Sequence, residues 1–267
     1  MLCLPHRERL LCVVVVFNVL TAGAAASTIP SETSPPLRYA DEWCRMSLNQ
    51  QTPRPDLMEE SARQALRAVE LRRYAYPEGF CGFTARFFAR DGTLRVQGSV
   101  RVSDPATIEL VSEKPSPLMG WVREILSSEV AHRMPRSATD RGHLRLIQLD
   151  DPLGDMLEFL DDPMRSRYRV AEGVITVVDR VVGAEGFTIV VLDHWELPDG
   201  RVLPRHYAVG FREAASGNLQ RLELHTAEYT TVNDVWLLTR HRTITLHPGG
   251  QIDARELELT GHQLVTR

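Results

Sequence analysis

Eight histidines remain when His6 is set aside, and four residues fall symmetrically about turn signals. Asp193 and His206 flank Asp199-Gly200, while His225 and His241 flank Asn233-Asp234. Antiparallel strands would set each pair nearly opposite one another. Three or four such side chains converging across strands bind zinc. The chain contains neither HExxH nor CxxC, so these residues are read as solvated strand histidines and no metal is expected. Asp150, Asp151, Asp155, Glu158, Asp161 and Asp162 bunch together but lack the ordered spacing and central glycine of a calcium loop. They read as a solvated acidic loop. No GxSxG nucleophile and no phosphate-cradling GxxxxGK[ST] is present. The sequence therefore supplies no catalytic constellation and implies no cofactor.

The chain has 267 residues, 43% hydrophobic and 25% charged, as expected of a folded globular protein. Its net charge is −4, and its basic residues are dispersed, with Lys114 the one lysine. That distribution argues against nucleic acid, whose phosphates require a basic stripe. Arg7 and Arg9, the apolar run Leu10 to Leu20 and Ala24-Ala25-Ala26 predict an export signal over residues 1–26, cleaved between Ala26 and Ser27. The apolar run is short of the ~20 residues that span a bilayer, so the processed protein is expected not to cross a membrane. A periplasmic or secreted location follows. Cys3 and Cys12 leave with the signal, and Cys44 and Cys81 become candidates for a disulfide in an oxidising compartment. The loop of about 37 residues would contribute roughly 3 to 4 kcal/mol; two unrelated thiols are the alternative.

Residues 27–55, rich in Ser, Thr and Pro, predict a flexible arm before a domain over 56–267. Leu57, Ala62, Ala65, Leu66 and Val69 recur at helical spacing from Asp56 to about Tyr74, until Pro77 and Gly79. Phe83, Ala85, Phe87 and Ala89 alternate into Asp91-Gly92, and Val96, Val100 and Val102 return as a hairpin. Leu118, Trp121, Val122, Ile125, Leu126 and Val130 predict a second helix. From Phe187 onward, turn signals recur about every 12 to 14 residues, which sets long antiparallel strands of roughly 40 Å. Long twisted strands coil. The expected fold is α+β: one long curved antiparallel sheet, an incomplete half-open barrel, with helices on its concave side.

Gly79-Phe80, Phe83-Thr84-Ala85, Gly98-Ser99-Val100-Arg101-Val102, Ser166-Arg167-Tyr168-Arg169-Val170, Phe187-Thr188-Ile189 and Tyr207-Ala208-Val209 carry a resemblance. The chain resembles domain-of-unknown-function family thirty-three eighty-six over roughly Ala62 to Leu264. That family has no established activity to carry over. More loosely, helix, hairpin and curling sheet look like the periplasmic carriers of lipoproteins, which implies an incomplete barrel plugged by helices.

One face of such a sheet must be filled by helices or by a guest. Val96, Val100, Ile189, Val209, Phe211 and Trp236 are the predicted lining of an apolar cavity beneath the two helices. The leading expectation is non-enzymatic binding of a lipid or other apolar small molecule. An enzyme using polar groups near Asp193, His206 and Arg240, or a protein-interaction module using the arm, are the alternatives. A buried polar cluster with displaced pKa values would favour the enzyme.

Overall fold

The computed structural model describes residues 55–135 and 142–266. The expected signal, its Ala26/Ser27 cleavage site, most of the arm and Cys44 lie outside the described residues.

Helix α1 (Pro55–Arg72) buries Ala62, Leu66 and Val69, four and then three residues apart, on a single face. Its chain end is tied down at once: the Tyr74 amide donates to the Val202 carbonyl at 3.1 Å and the Tyr76 amide to the Arg133 carbonyl at 2.8 Å. Three strands follow: β1 (Phe83–Asp91), β2 (Leu94–Val102) and β3 (Ile108–Ser112). Helix α2 (Leu118–Arg133) then buries Leu118, Trp121, Val122, Leu126 and Val130. After it come β4 (Leu144–Gln148), β5 (Asp155–Phe159), β6 (Arg167–Ala171) and β7 (Val174–Val182). The long meander completes the chain: β8 (Glu185–Glu196), β9 (Val202–Glu213), β10 (Leu219–Val232), β11 (Val235–Leu246) and β12 (Ile252–Leu264).

All twelve strands form one antiparallel sheet in the order β3-β2-β1-β12-β11-β10-β9-β8-β7-β6-β5-β4. The N-terminal hairpin therefore joins the C-terminal strand, and sequence neighbours β3 and β4 become the two edges. They do not pair, so the barrel stays open, and α2 is the connection between them. Both edge strands are only five residues long, which limits the unpaired backbone they present.

The two-residue turn between β10 and β11 is built from Asn233 (φ 48°) and Asp234 (φ 63°), a left-handed pair that matches the strand twist. Glycine is required at 98, where a Cβ would sit 1.9 Å from the Val111 carbonyl oxygen. Phe83, Ala85, Phe87 and Ala89 of β1 and Val96, Val100 and Val102 of β2 point to one face, where α2 covers them together with the partly buried Trp236. On the opposite flank α1 packs against Leu144, Leu146, Leu157 and Val170. Among the described residues, no helix is long and apolar enough to cross a membrane.

Candidate functional site

The helices pack mainly on the flanks of the sheet, α1 on β4, β6 and β7 and α2 on β1 to β3. Between them the inner face of β7 to β10 forms a trough, whose rows follow from register. Arg180 faces Phe187, Phe187 faces Phe211, and Phe211 faces Arg221. The next row runs Val178, Ile189, Val209, Glu223, and the third Val191, Tyr207, His225. Phe187, Val209 and Phe211 are its buried floor, while Val178, Ile189 and Val191 remain half-buried.

The cavity residues expected from the sequence thus fall into two places. Ile189, Val209 and Phe211 are neighbours on the trough. Val96, Val100 and Trp236 belong to the core under α2, with β2 lying five strands from β9. A groove of about 500 Å³ lies elsewhere, on the opposite face of β1, β2 and β12, and includes Thr84, Arg86, Ser99 and Arg101.

A chain of polar side chains borders the trough. Arg221 Nε donates to Glu223 Oε1 at 2.8 Å, and Glu223 Oε2 stands 3.3 Å from His225 Nε2. The carboxylate favours a proton on that nitrogen, leaving His225 Nδ1 to accept from His241 Nε2–H at 3.1 Å. The Tyr207 ring stacks on His225, 4.6 Å between centroids. Thr243 Oγ1 is 3.2 Å from the same Nδ1. His241 Nδ1 is buried and has no hydrogen-bond partner among the described residues.

Beyond His241 the polar chain reaches α2. Arg133 pairs with Glu129 at 2.5 Å and its Nη2 donates to the Tyr229 hydroxyl at 2.7 Å, which itself donates to the Pro204 carbonyl at 3.1 Å.

The electrostatics follow from burial. Two of the histidines expected to be solvated are not: His225 is 5% and His241 1% exposed, whereas the His206 side chain stays partly exposed. Burial, then the proximity of His225 and Arg133, hold the His241 pKa well below that of a free imidazole. Burial raises the Tyr207 and Tyr229 hydroxyls and the Glu129 carboxyl. Burial also opposes ionisation of Glu223, but hydrogen bonding and charge from His225 and Arg221 prevail and lower its pKa.

The alternative trio is not assembled. Asp193 does face His206, with 3.8 Å between Oδ2 and Nε2, and also pairs with Arg205. Arg240 lies two strands away, engaged with Glu256, which also holds Arg90. The acidic run is spent on local contacts: Glu158 bridges Arg145 and Arg167, and Asp151 pairs with Arg169. Among the described residues no group of three or more His, Cys, Asp or Glu is arranged to hold a metal ion. Arg180, Tyr168, Arg221, Glu223 and Arg133 were given no site role from the sequence, Tyr168 entering there only among the residues that carry the family resemblance. For the four strand residues the one signal is period-two placement on the same face as Phe187, Val209 and Phe211; Arg133 sits in the last turn of α2.

The fold and trough define an open antiparallel half-barrel whose inner face is apolar at its centre and polar along one side. The chain belongs to DUF3386, a family described as a protein of unknown function, matched over residues 58–265. No curated protein is significantly similar to it in sequence. Among solved structures, a DUF1329 family protein from Desulfovibrio piger matches with TM-score 0.26 at 7% identity, over 78% of this chain and 93% of that one. A LolA superfamily protein from Nitrosomonas europaea matches with TM-score 0.28 at 11% identity, over 77% and 94%.

Proposed function

We propose that this is an exported, non-enzymatic protein that binds a lipid or other apolar small molecule on the inner face of its sheet, in the trough between α1 and α2. The observation that carries the reading is the row Val178, Ile189, Val209. It is apolar across three strands, with α1 packed at its β7 end, and two of its members stay half-buried. Elsewhere on this face the apolar rows are sealed by a helix. Apolar surface left accessible in a concave place is the default site for an apolar guest. In this reading residues 1–26 are removed as an export signal, 27–55 form an arm, and 56–267 are the binding domain.

The buried polar chain favours a second reading, an acid–base enzyme. His241 is almost wholly enclosed, and its base nitrogen is not presented to a substrate. Those groups are better placed to tie β9, β10 and β11 to α2 than to move protons to a guest.

Native mass spectrometry of protein purified from its own host should show a co-purifying apolar ligand. Ile189→Trp, which fills the half-open trough, should weaken uptake of a fluorescent fatty acid while leaving the fold intact. Unchanged uptake by the folded variant would remove the site from the trough. No uptake of any apolar probe by wild type would end the carrier reading.

A further inference from the structure

Resting on that reading, we infer that the ligand is an anionic amphiphile, its oxyanion head held by Arg180 and Tyr168 and its tail lying along Val178, Ile189 and Val209. Arg180 projects from β7 onto the inner face beside Phe187. Its Nη2 donates to the Tyr168 hydroxyl and its guanidinium stands 5.5 Å from the centre of that ring. Its Nε is buried and unpartnered among the described residues. No carboxylate among the described residues pairs with it, unlike Arg221 at the other end of the same row, which has Glu223 and Glu185 at 2.8 and 3.4 Å.

A guanidinium held against apolar surface without a counter-charge is costly, and that cost is relieved when an anion arrives. The planar fork of Arg matches a carboxylate or a phosphate with paired N–H donors. Tyr168 fixes the fork from β6, the strand that pairs directly with β7. Strands are about 4.8 Å apart, so a tail running from β7 across β8 to β9 covers roughly 10 Å of the trough and stops short of Glu223 on β10. A head at Arg180, in the adjacent row, and a tail of that length use the apolar part of the row. A neutral guest would leave the charge unanswered.

The test compares dodecanoate, dodecyl phosphate and dodecanol by isothermal titration with the full processed protein. Wild type should bind at least one of the two anions about tenfold or more tightly than dodecanol, as expected for a charge-assisted hydrogen bond at the head. Which anion leads identifies the head as carboxylate or phosphate. Arg180→Gln should abolish that preference, read as the ratio of anion to dodecanol affinity in the same variant, and Tyr168→Phe should reduce it. In wild type the preference should also shrink as salt is raised, a measurement that needs no variant. Equal binding of all three by wild type, or a preference that survives Arg180→Gln or is insensitive to salt, overturns the head-group assignment while the carrier reading stands. Binding of none of the three refutes both.

Discussion

His241 makes folding sensitive to mild acid, with a slope fixed by a single proton. In the folded chain it faces His225 on the neighbouring strand β10, with Thr243 two residues along its own strand, the Tyr207 ring 6.5 Å away and Arg133 from α2. None of these is an anion, and burial compounds the penalty, so the folded pKa lies well below 6.5. Above pH 6.5 neither folded nor unfolded chain carries a proton there, and stability is at its full value. As pH falls below 6.5 the unfolded chain gains the proton and the folded chain does not, so stability declines until the folded pKa is reached. Within that window each pH unit removes up to about 1.4 kcal/mol. At an m-value of about 2 to 3 kcal/mol/M, that is a fall of roughly half a molar in the urea midpoint per pH unit.

The assay is urea unfolding of wild type and His241→Phe at a series of pH values between 7.5 and 5. His194 and His262, also lowered by partial burial, add slope to both proteins, and the buried Glu129 carboxyl affects both alike. The difference between the proteins isolates His241. Parallel curves across the interval would refute the argument, because they would mean that His241 takes up its proton without unfolding.

Arg133→Met should cost about 3 to 5 kcal/mol, since it strands the Glu129 carboxylate and deprives Tyr229 of its donor; pairing it with Glu129→Gln should recover a large part in the urea midpoint. Gly98→Ala should lower Tm through roughly 1 to 3 kcal/mol of strain, because the new methyl meets the Val111 carbonyl and the Phe87 ring, the latter at 2.9 Å. Cys81 is a free thiol in this structure, its S–H donating to the Gly79 carbonyl at 3.1 Å; we propose that in exported protein it exchanges that bond for a disulfide to Cys44. Thiol titration of unfolded, unreduced material should then find none, and two free thiols would refute the pairing.

Much of the architecture was legible because it rests on period and punctuation. The spacing of Leu118, Trp121, Val122, Leu126 and Val130 marks α2, and the DG, SGN, ND and PGG turns mark the ends of strands of 12 to 14 residues. What local pattern does not contain is strand order. Nothing in Phe83 to Val102 says that β1 will pair with β12, and that one pairing sends α2 from one sheet edge to the other. It also divides the expected cavity lining, drawing Val96 and Val100 under α2 while Ile189, Val209 and Phe211 remain on the trough.

The sequence set His225 and His241 nearly opposite but read them as solvated; their burial as a pair turns on a single residue of register. From the Asn233-Asp234 turn, Val232 faces Val235, Thr231 faces Trp236 and Tyr229 faces Leu238. Had that pairing continued, His225 would lie opposite Arg242, and His241 would project from the other face of the sheet. A bulge between Glu228 and Tyr229 shifts the ladder by one, so His225 faces Thr243 and Ala227 faces His241. Both imidazoles now share the inner face, two residues apart along the strands and within hydrogen-bonding distance. Two β-branched or aromatic stretches joined by a turn look the same with or without that extra residue. The bulge converts two surface histidines into a buried pair, and it does so beside the trough, where bulges characteristically re-aim side chains toward a site.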